Sequence, residues 1–487
     1  MKKLLIFALL LTSLVGCSED EDKTTKKTKA GSAETFSDDQ LVEQAPTLTV
    51  LNEIGLPIPN AQVLIGPAQN VPFENNWLTT DAAGILTLPA EWTQPLPLTV
   101  QAPGFVRVTY LNVQPADLKL QLRFASKIPN YEVSGLTTGH SIVDRDDKID
   151  FGIIMNAFTR NDMMAFDMTK VMSLESDTLT VAGYDAPVPS NVTLPKQKES
   201  YFIPITIEKP GYRIYFPRTG NYKVFAAKGQ FPFDKVVDEL RNKKEFYELV
   251  NYFNITGGSL KDVAVTNAKS KMDINVNDMQ FGVKKLAIAP RMNANEVLMA
   301  VSAIDQGGYF LPADVKRLTS GQQMPLNTQA NSKQMFMGVL KRQDEFESNK
   351  PGLDRMSAGL YDFQDKISPT LLPLIPNPKL DTAGNLILQT PPVFTGLNPT
   401  GMQTMLSEVV ELQKGKEKVI FLNRLWEVYS NEWLGIVDLP EVPATLPAAK
   451  KLRWEAAYIG STAVNQPQLG PSIIENATHV THSSIDF

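Results

Sequence analysis

A single cysteine, Cys17, is the feature that most restricts how this chain of 487 residues can fold. One thiol cannot form an intrachain disulfide, and a Cys-x-x-Cys zinc site needs more than one cysteine. Stability must therefore come from hydrophobic cores, and a chain of this length can bury enough apolar surface to build them. The 34 prolines and 29 glycines are typical of many short strands joined by turns, and the hydrophobic fraction of 43% is ordinary for a globular protein.

The residues before Cys17 have the pattern of a secretory signal. Two lysines precede an apolar run at residues 4–15, which is shorter than the roughly 20 residues that a membrane-spanning helix needs. The stretch Leu14-Val15-Gly16-Cys17 resembles the bacterial lipobox. The resemblance implies that residues 1–16 are removed as a signal peptide and that Cys17 is lipidated. The alternative is an ordinary signal peptide in which the cysteine is incidental.

Residues 17–45 are dense in charge and poor in large apolar side chains. Such a segment cannot bury enough surface to offset the entropy of ordering, so we predict an acylated, flexible acidic tether. The residue that follows the cysteine is Ser18 rather than an aspartate. By the lipoprotein sorting rule of enteric-type bacteria, this predicts an outer-membrane location. The acidic run 18–22 resembles the signal that exports some bacterial lipoproteins, so exposure at the cell surface is a hypothesis.

The charge balance restricts the partners of the mature protein. The full chain has a net charge of −6, and removing Lys2 and Lys3 leaves 45 basic against 53 acidic residues, or −8. Nucleic-acid binding needs a basic face, so we expect no nucleic-acid partner. The expected contact with a membrane is the lipid anchor, and a protein or glycan ligand is the expected partner of the folded part.

Three short motifs within residues 46–124 carry a family resemblance. They are Gly55–Val63, which reads G-x-P-I-x-x-A-x-V, then Thr80–Gly84, which reads T-D-x-x-G, and Ala102–Phe105, which reads A-x-G-F. Together they resemble a carboxypeptidase regulatory-like domain, a transthyretin-like small β-sandwich, with Phe105 in place of the commoner tyrosine. The resemblance implies a non-catalytic spacer or interaction module.

The region after residue 124 is predicted to be β-rich, in two domains that span 125–258 and 259–487. Alternating apolar residues at Tyr201–Ile207, Tyr212–Phe216 and Tyr222–Ala226 predict strands that form a hairpin pair or a meander. Further candidate strands lie at Lys285–Ala289, Glu296–Ala303, Gln334–Arg342, Glu417–Tyr429 and Lys451–Tyr458.

Apolar residues at helical spacing between Phe233 and Phe253 predict a helix, and Pro232 suits its first turn. This helix is expected to end before Gly257-Gly258, which we take as the boundary between the two domains. The fold class is therefore mainly β: a small N-terminal β-sandwich is followed by a larger β-rich region with at least one α-helix.

One stretch repeats a local pattern of the first module. Asp381–Leu388 and Asp81–Leu88 share the form D-x-A-G-x-L-x-L. Either a sandwich is duplicated, or the same economical turn is used twice independently, and the second reading is favoured.

Few residues combine into a pattern that supports chemistry. His140 stands alone. His479 and His482 would lie on opposite faces of a strand, although on one side of a helix, and structural roles are favoured over a metal pair. The carboxylates within Asp144–Gly152 are a candidate Ca²⁺ site. Lys148 interrupts them, however, and the stretch lacks both the glycine at position six of a calcium-binding loop and a distal glutamate, so a solvated turn is favoured. No other cofactor is expected.

The aromatic residues Trp426, Tyr429 and Trp433 suggest a glycan-binding platform. If Glu417–Tyr429 is a strand, however, Trp426 shares a face with the apolar residues Ile420, Leu422 and Val428, which is the pattern of a core.

The sequence contains no nucleophile elbow, no phosphate-binding loop and no dinucleotide-binding glycine motif. These observations favour a membrane-anchored envelope lipoprotein that acts without catalysis, as a binding or structural protein. The alternative is a glycan- or peptide-directed hydrolase with its active site after residue 125, because paired carboxylates can come from distant parts of a chain.

Overall fold

The computed structural model describes residues 45–73, 77–125, 127–140, 148–159, 173, 175–181, 184–196, 208–242, 244, 246–347, 355–414, 417–441, 451–462 and 476–487. This part of the chain is mainly β with a few short helices, which confirms the predicted fold class. It forms two compact units, one within Gly16–Phe124 and one that runs from Ala125 to Phe487. Within these described ranges, no helix is long and apolar enough to cross a membrane. Cys17 and the predicted tether lie outside the described residues, apart from Ala45.

Two small sheets make up the N-terminal unit. Its strands are β1 (Thr47–Asn52), β2 (Gln62–Ile65), β3 (Leu78–Thr79), β4 (Ile85–Thr87), β5 (Leu96–Gln101), β6 (Arg107–Val113) and β7 (Leu118–Leu122). The sheet orders are β4-β1-β7 and β6-β5-β2-β3. Leu48 and Val50 of β1 and Val63 of β2 are completely buried, as alternation along these strands predicts.

The first half of the larger unit is a second sandwich. Its strands are β8 (Tyr131–Thr138), β9 (Lys148–Asn156), β10 (Phe158–Thr159), β11 (Ser176–Val181), β12 (Tyr184–Pro189), β13 (Val192–Thr193), β14 (Gly211–Phe216), β15 (Gly220–Pro232), β16 (Asn254–Val265), β17 (Lys269–Lys271), β18 (Ile274–Asn275) and β19 (Met279–Gln280). One sheet has the order β13-β9-β15-β16-β19, and the other has the order β14-β8-β17. Residues of both sheets share one core, which includes Ile154, Phe216 and Val224.

The predicted pairing of Tyr212–Phe216 with Tyr222–Ala226 is wrong, although both strands are present. β14 pairs with β8, whereas β15 pairs with β9 and β16, so consecutive strands enter different sheets. Phe216 and Val224 are buried in the same core, although their strands belong to different sheets. The apolar residues of both strands are therefore buried without a hairpin. Tyr201–Ile207, the third predicted strand, lies outside the described residues.

The predicted helix between Phe233 and Phe253 is broken into short pieces. Helix α1 spans Phe233–Arg241, helix α2 spans Phe246–Leu249, and a 3₁₀ turn spans Val250–Tyr252. The Gly257-Gly258 pair lies inside β16 rather than in a linker. A Cβ at Gly257 would lie 2.3 Å from the carbonyl oxygen of Met279, so these glycines permit close strand packing rather than a turn.

The second half of the larger unit centres on a long antiparallel sheet. Its strands are β20 (Val283–Ile288), β21 (Glu296–Gln306), β22 (Tyr309–Leu318), β23 (Gln323–Thr328), β24 (Lys333–Arg342), β25 (Met356–Asp362), β26 (Lys366–Ile367), β27 (Lys379–Leu380), β28 (Leu386–Ile387), β29 (Asn398–Lys414), β30 (Glu417–Ser430), β31 (Ile436–Val437), β32 (Leu452–Ser461) and β33 (His479–Asp486), with helix α3 at Gln343–Glu347. All five strands predicted in this region are present.

Within this unit the strands of the long sheet follow the order β10-β22-β21-β24-β25-β33-β32-β29-β30. A smaller sheet, β23-β20-β26, shares a core with it through Ala287, Leu298 and Phe336. A third sheet has the order β27-β28-β31, and the turn that repeats the D-x-A-G pattern connects β27 to β28.

The two D-x-A-G turns have the same hydrogen bonds in different settings. Oδ1 of Asp81 accepts from the backbone N–H groups of Ala83 and Ile85, and Oδ1 of Asp381 accepts from those of Ala383 and Asn385. The first turn connects strands of two sheets, whereas the second closes a hairpin within one sheet. The repeat is therefore local turn chemistry, as the favoured reading predicted, and not a duplicated sandwich.

Replacing the turn glycines should separate conformational strain from steric clash. Gly84 has φ +73° and Gly384 has φ +88°, so alanine at either position should cost about 1 to 2 kcal/mol for the left-handed backbone. A Cβ at Gly84 would also lie 2.7 Å from the carbonyl oxygen of Val50, whereas a Cβ at Gly384 meets nothing within 4 Å. Urea denaturation should therefore show a larger decrease in the free energy of unfolding for Gly84→Ala than for Gly384→Ala. Equal decreases would mean that the contact with Val50 adds nothing to the backbone strain.

Candidate functional site

Four neighbouring strands of the long sheet, β29, β30, β32 and β33, carry a concentration of polar side chains on one face. Cross-strand pairing places Met405 opposite both Glu427 and Glu455. The adjacent row holds Gln403, which lies opposite Tyr429, and Ala457, which lies opposite His482. Residues two apart on a strand point to the same side, so both rows belong to a single face.

These side chains form what we call the polar cluster: Gln403, Arg424, Glu427, Tyr429, Glu455 and His482. The hydroxyl of Tyr429 donates to Oε2 of Glu427 at 2.7 Å and accepts from Nε2 of Gln403 at 2.9 Å. Nη1 of Arg424 lies 3.2 Å from Oε1 of Glu427, and its Nη2 lies 3.8 Å from Oε2 of Glu455. Nε2 of His482 lies 3.5 Å from Oε1 of Glu455.

A β-bulge brings the charged members of the cluster together. The register of β29 and β30 shifts between Leu406 and Ser407, which leaves Leu425 as the extra residue of β30. In a regular strand, Arg424 and Glu427 would lie on opposite faces, because they are three positions apart. The bulge reverses the alternation and places both on the same face.

The polar cluster is enclosed. The side chain of Glu427 is 0% exposed, that of Arg424 is 10% exposed, and that of His482 is 4% exposed. A buried carboxylate is tolerated only where it is paired and hydrogen-bonded, and Glu427 is bonded through both of its oxygens. We conclude that the cluster joins strands rather than acting on a substrate.

A second ion pair continues the same face. Nε of Arg453 donates to Oδ1 of Asp486 at 2.6 Å, and Nζ of Lys451 lies 3.1 Å from Oδ2 of the same carboxylate. Burial favours the neutral form of Asp486, but Arg453 and Lys451 outweigh it, so the pKa of Asp486 lies below its usual range. This pair ties the beginning of β32 to the end of β33.

The two C-terminal histidines have separate structural partners, as their spacing predicted. Nε2 of His479 lies 3.0 Å from the hydroxyl of Tyr361 and 3.0 Å from the carbonyl oxygen of Thr370. The ring also meets Phe394 edge-on. Burial lowers the pKa of His479, and the hydrogen bond to Thr370 opposes that effect. His482 belongs to the polar cluster instead.

The aromatic residues do not form an exposed platform. Trp426 and Tyr429 are 0% exposed, and Nε1 of Trp433 donates to the carbonyl oxygen of Ile459 at 2.9 Å. Trp426 and Val428 are in the core, as predicted, but Ile420 is 40% exposed. The bulge at Leu425 is the reason, because it places residues before and after it on opposite faces.

The candidate calcium stretch is only partly described. Asp144, Asp146 and Asp147 lie outside the described residues. Asp150 belongs to β9, is buried, and accepts from Nε2 of Gln230 at 2.9 Å. Burial raises its pKa, although Gln230 and Lys228 act in the opposite direction. Within the described ranges, no group of three or more histidine, cysteine, aspartate or glutamate side chains is arranged to hold a metal ion.

His140 is not isolated in the fold, because it lies beside a buried lysine. Its Nε2 lies 3.0 Å from Oγ1 of Thr137, and a Cβ at Gly152 would lie 3.3 Å from its Cε1. Burial, with a smaller contribution from Lys228, lowers the pKa of His140 to about 4. His140, Lys228 and Asp150 thus influence one another, which their positions in the sequence do not indicate.

This shift makes stability depend on pH. The imidazole has an ordinary pKa of 6.5 and a folded pKa of about 4, so the unfolded chain binds more protons between these values. The free energy of unfolding therefore falls as the pH falls below 6.5, and at about pH 5 it is about 2 kcal/mol lower than above pH 6.5. Urea denaturation measures the free energy of unfolding at about pH 7 and at about pH 5. The decrease between the two pH values should be smaller for His140→Gln than for the wild type. Equal losses would mean that the protonation of His140 is not coupled to folding.

No family model matches the chain, and no curated protein matches it. Among solved structures, it is similar to the Bacillus anthracis TIE protein at 10% identity and a TM-score of 0.14, over 67% of this chain and 50% of that chain. An adhesin-like protein of Bacteroides ovatus has 7% identity and a TM-score of 0.13, over 46% of this chain and 74% of that chain. The streptococcal ancillary pilin has 10% identity and a TM-score of 0.14, over 80% of this chain and 99% of that chain. The chain spans half the length of the first of these proteins, and TM-scores this low do not indicate a shared fold.

Proposed function

We propose that this protein is an acylated lipoprotein of the bacterial envelope, anchored in the outer membrane through Cys17, that serves as a non-catalytic structural or binding protein. A charged tether presents the folded part, and the first module is a carboxypeptidase regulatory-like sandwich. The two small sheets of the N-terminal unit support that assignment, since a transthyretin-like sandwich is built from two such sheets.

One observation carries the proposal of a non-catalytic role. The residues with the greatest chemical capacity are engaged in buried contacts within a sheet: Glu427, Glu455, His479 and His482 each contact a protein partner there. A catalytic carboxylate pair must reach a substrate, whereas Glu427 is 0% exposed and shares Arg424 with Glu455. An extensive sheet joined by internal ion pairs suits a protein that presents a surface or bears load.

The anchor is tested with a labelled fatty acid in cells that produce the full chain. We expect label on the wild type and on Ser18→Ala, which keeps the cysteine, and no label on Cys17→Ala. The Cys17→Ala protein should also leave the membrane fraction. Label that persists on Cys17→Ala would overturn the assignment of the anchor.

The location of the folded part is tested by adding protease to intact and lysed cells while following a tag at the C-terminus. Loss of the tag from intact cells would support exposure at the cell surface. Protection until lysis would contradict surface exposure and place the folded part in the periplasm.

The hydrolase alternative is tested with cell-wall, polysaccharide and protein substrates. We expect the wild type to release no more product than Glu455→Gln, which nearly preserves the shape of the side chain. Turnover that disappears in this variant, while the variant stays folded, would overturn the non-catalytic proposal.

A further inference from the structure

Lys228 is a buried lysine whose amine contacts a side-chain amide. It lies in β15 and is 3% exposed. Nζ donates a hydrogen bond to Oδ1 of Asn277 and another, at 3.3 Å, to the carbonyl oxygen of Gly139. Among the described residues, no carboxylate forms an ion pair with this amine. Asn277 lies between β18 and β19 and is exposed.

The glycine at position 257 makes room for this lysine. Lys228 lies opposite Gly152 of β9 and opposite Gly257 of β16. A Cβ at Gly257 would lie 3.1 Å from Cε of Lys228, so the lysine stem passes directly over this glycine. The stem therefore crosses β16 and reaches the segment on its far side that contains Asn277. A side chain at position 257 would obstruct this path.

Burial shifts both the amine of Lys228 and the carboxyl of Asp150 towards their neutral forms. Burial lowers the pKa of Lys228, and Asp150 partly opposes that effect. Burial raises the pKa of Asp150, as described above. The remaining titratable neighbour, His140, is neutral at physiological pH because its pKa is about 4. A neutral amine is the nucleophilic form of lysine.

The buried pair of Lys316 and Asp314 provides a contrast within the same chain. Nζ of Lys316 lies 2.8 Å from Oδ1 of Asp314 and also donates to the carbonyl oxygen of Phe253 at 2.8 Å. The amine of Lys316 therefore has a carboxylate as its direct partner, whereas the amine of Lys228 has a side-chain amide. Burial alone therefore does not distinguish Lys228 from Lys316, whereas the partner of the amine does.

We propose that Lys228 and Asn277 form an intramolecular amide crosslink. The Nζ lone pair attacks Cγ of Asn277 and forms the Nζ–Cγ bond. The Cγ–Nδ2 bond then breaks, and the proton lost from Nζ passes to Nδ2, which leaves as ammonia. The reaction needs no oxidant or other co-reactant. The exposed position of Asn277 gives the ammonia a path to solvent.

Peptide mapping of the unfolded full chain tests this crosslink. Trypsin should release peptides 224–235 and 272–284 joined to each other, with a mass one ammonia below the sum of the two, and cleavage after Lys228 should be lost. Lys228→Arg and Asn277→Ala should each abolish the joined peptide. Lys316→Arg, a buried lysine with a carboxylate partner, should leave it unchanged.

Two outcomes would overturn the proposal. One is recovery of separate peptides 224–228 and 272–284 at their full masses from the folded wild type. The other is loss of ammonia from peptide 272–284 that persists in Lys228→Arg, because this would indicate a succinimide at Asn277-Asp278. If Lys228→Arg does not fold, Asn277→Ala decides, since its exposed side chain can be removed without opening the core.

Discussion

Replacing Glu427 by alanine is expected to destabilise the larger unit by about 3 to 5 kcal/mol. The variant loses a carboxylate that is 0% exposed and leaves Arg424, whose side chain is 10% exposed, without its nearer partner. The hydroxyl of Tyr429 loses its acceptor at the same time. The free energy of unfolding from urea or guanidinium titration measures the effect.

The matched control is Asp262→Ala, which also removes one partner of an ion pair. Oδ1 of Asp262 lies 2.6 Å from Nζ of Lys223, but the Asp262 side chain is 81% exposed. An exposed pair of this kind contributes about 1 kcal/mol or less. If both variants lose the same stability, the polar cluster is not the buried network that its geometry indicates.

Trp426→Ala is expected to cost about 3 to 5 kcal/mol, because it opens a cavity in the core of the long sheet. Trp426 is 0% exposed, and its ring centroid lies 5.9 Å from that of Trp454. The control is Ile420→Ala on the same strand, where the side chain is 40% exposed and the expected change is within about 0.5 kcal/mol. Thermal or chemical denaturation of both variants gives the comparison.

This pair of variants also tests the alternative role of the aromatic residues. A glycan platform would lose carbohydrate binding in Trp426→Ala while its stability stayed close to that of the wild type. The buried position predicts the reverse: a large loss of stability, and no binding to soluble glycans that depends on Trp426.

The candidate site shows where prediction from sequence reaches its limit. The stretch Arg424–Ser430 marks Trp426 and Tyr429 as notable residues, and the core assignment for Trp426 and Val428 holds. The pairing of Arg424 with Glu427 could not be predicted, because regular alternation separates them. A bulge depends on how two strands align over many residues, and no local pattern in β30 indicates its position.

The same limit applies to His140, Lys228 and Asn277. Each belongs to a different segment, and Lys228 and Asn277 are 49 positions apart in the chain. Nothing in the local sequence around Lys228 indicates that its amine meets an amide rather than a carboxylate. The glycine that clears its path, Gly257, reads in the sequence as part of a domain boundary.

The sequence by itself determined the features that depend on neighbouring residues. Alternation specified the strands of the mainly β fold, and an aspartate followed three positions later by glycine specified both tight turns, because these effects act within a few residues. The tertiary structure decided which strands pair, where the alternation is reversed, how the helix is divided, and which polar groups meet. Those features follow from contacts between residues far apart in the chain, where packing and the pairing of buried charges outweigh local preference.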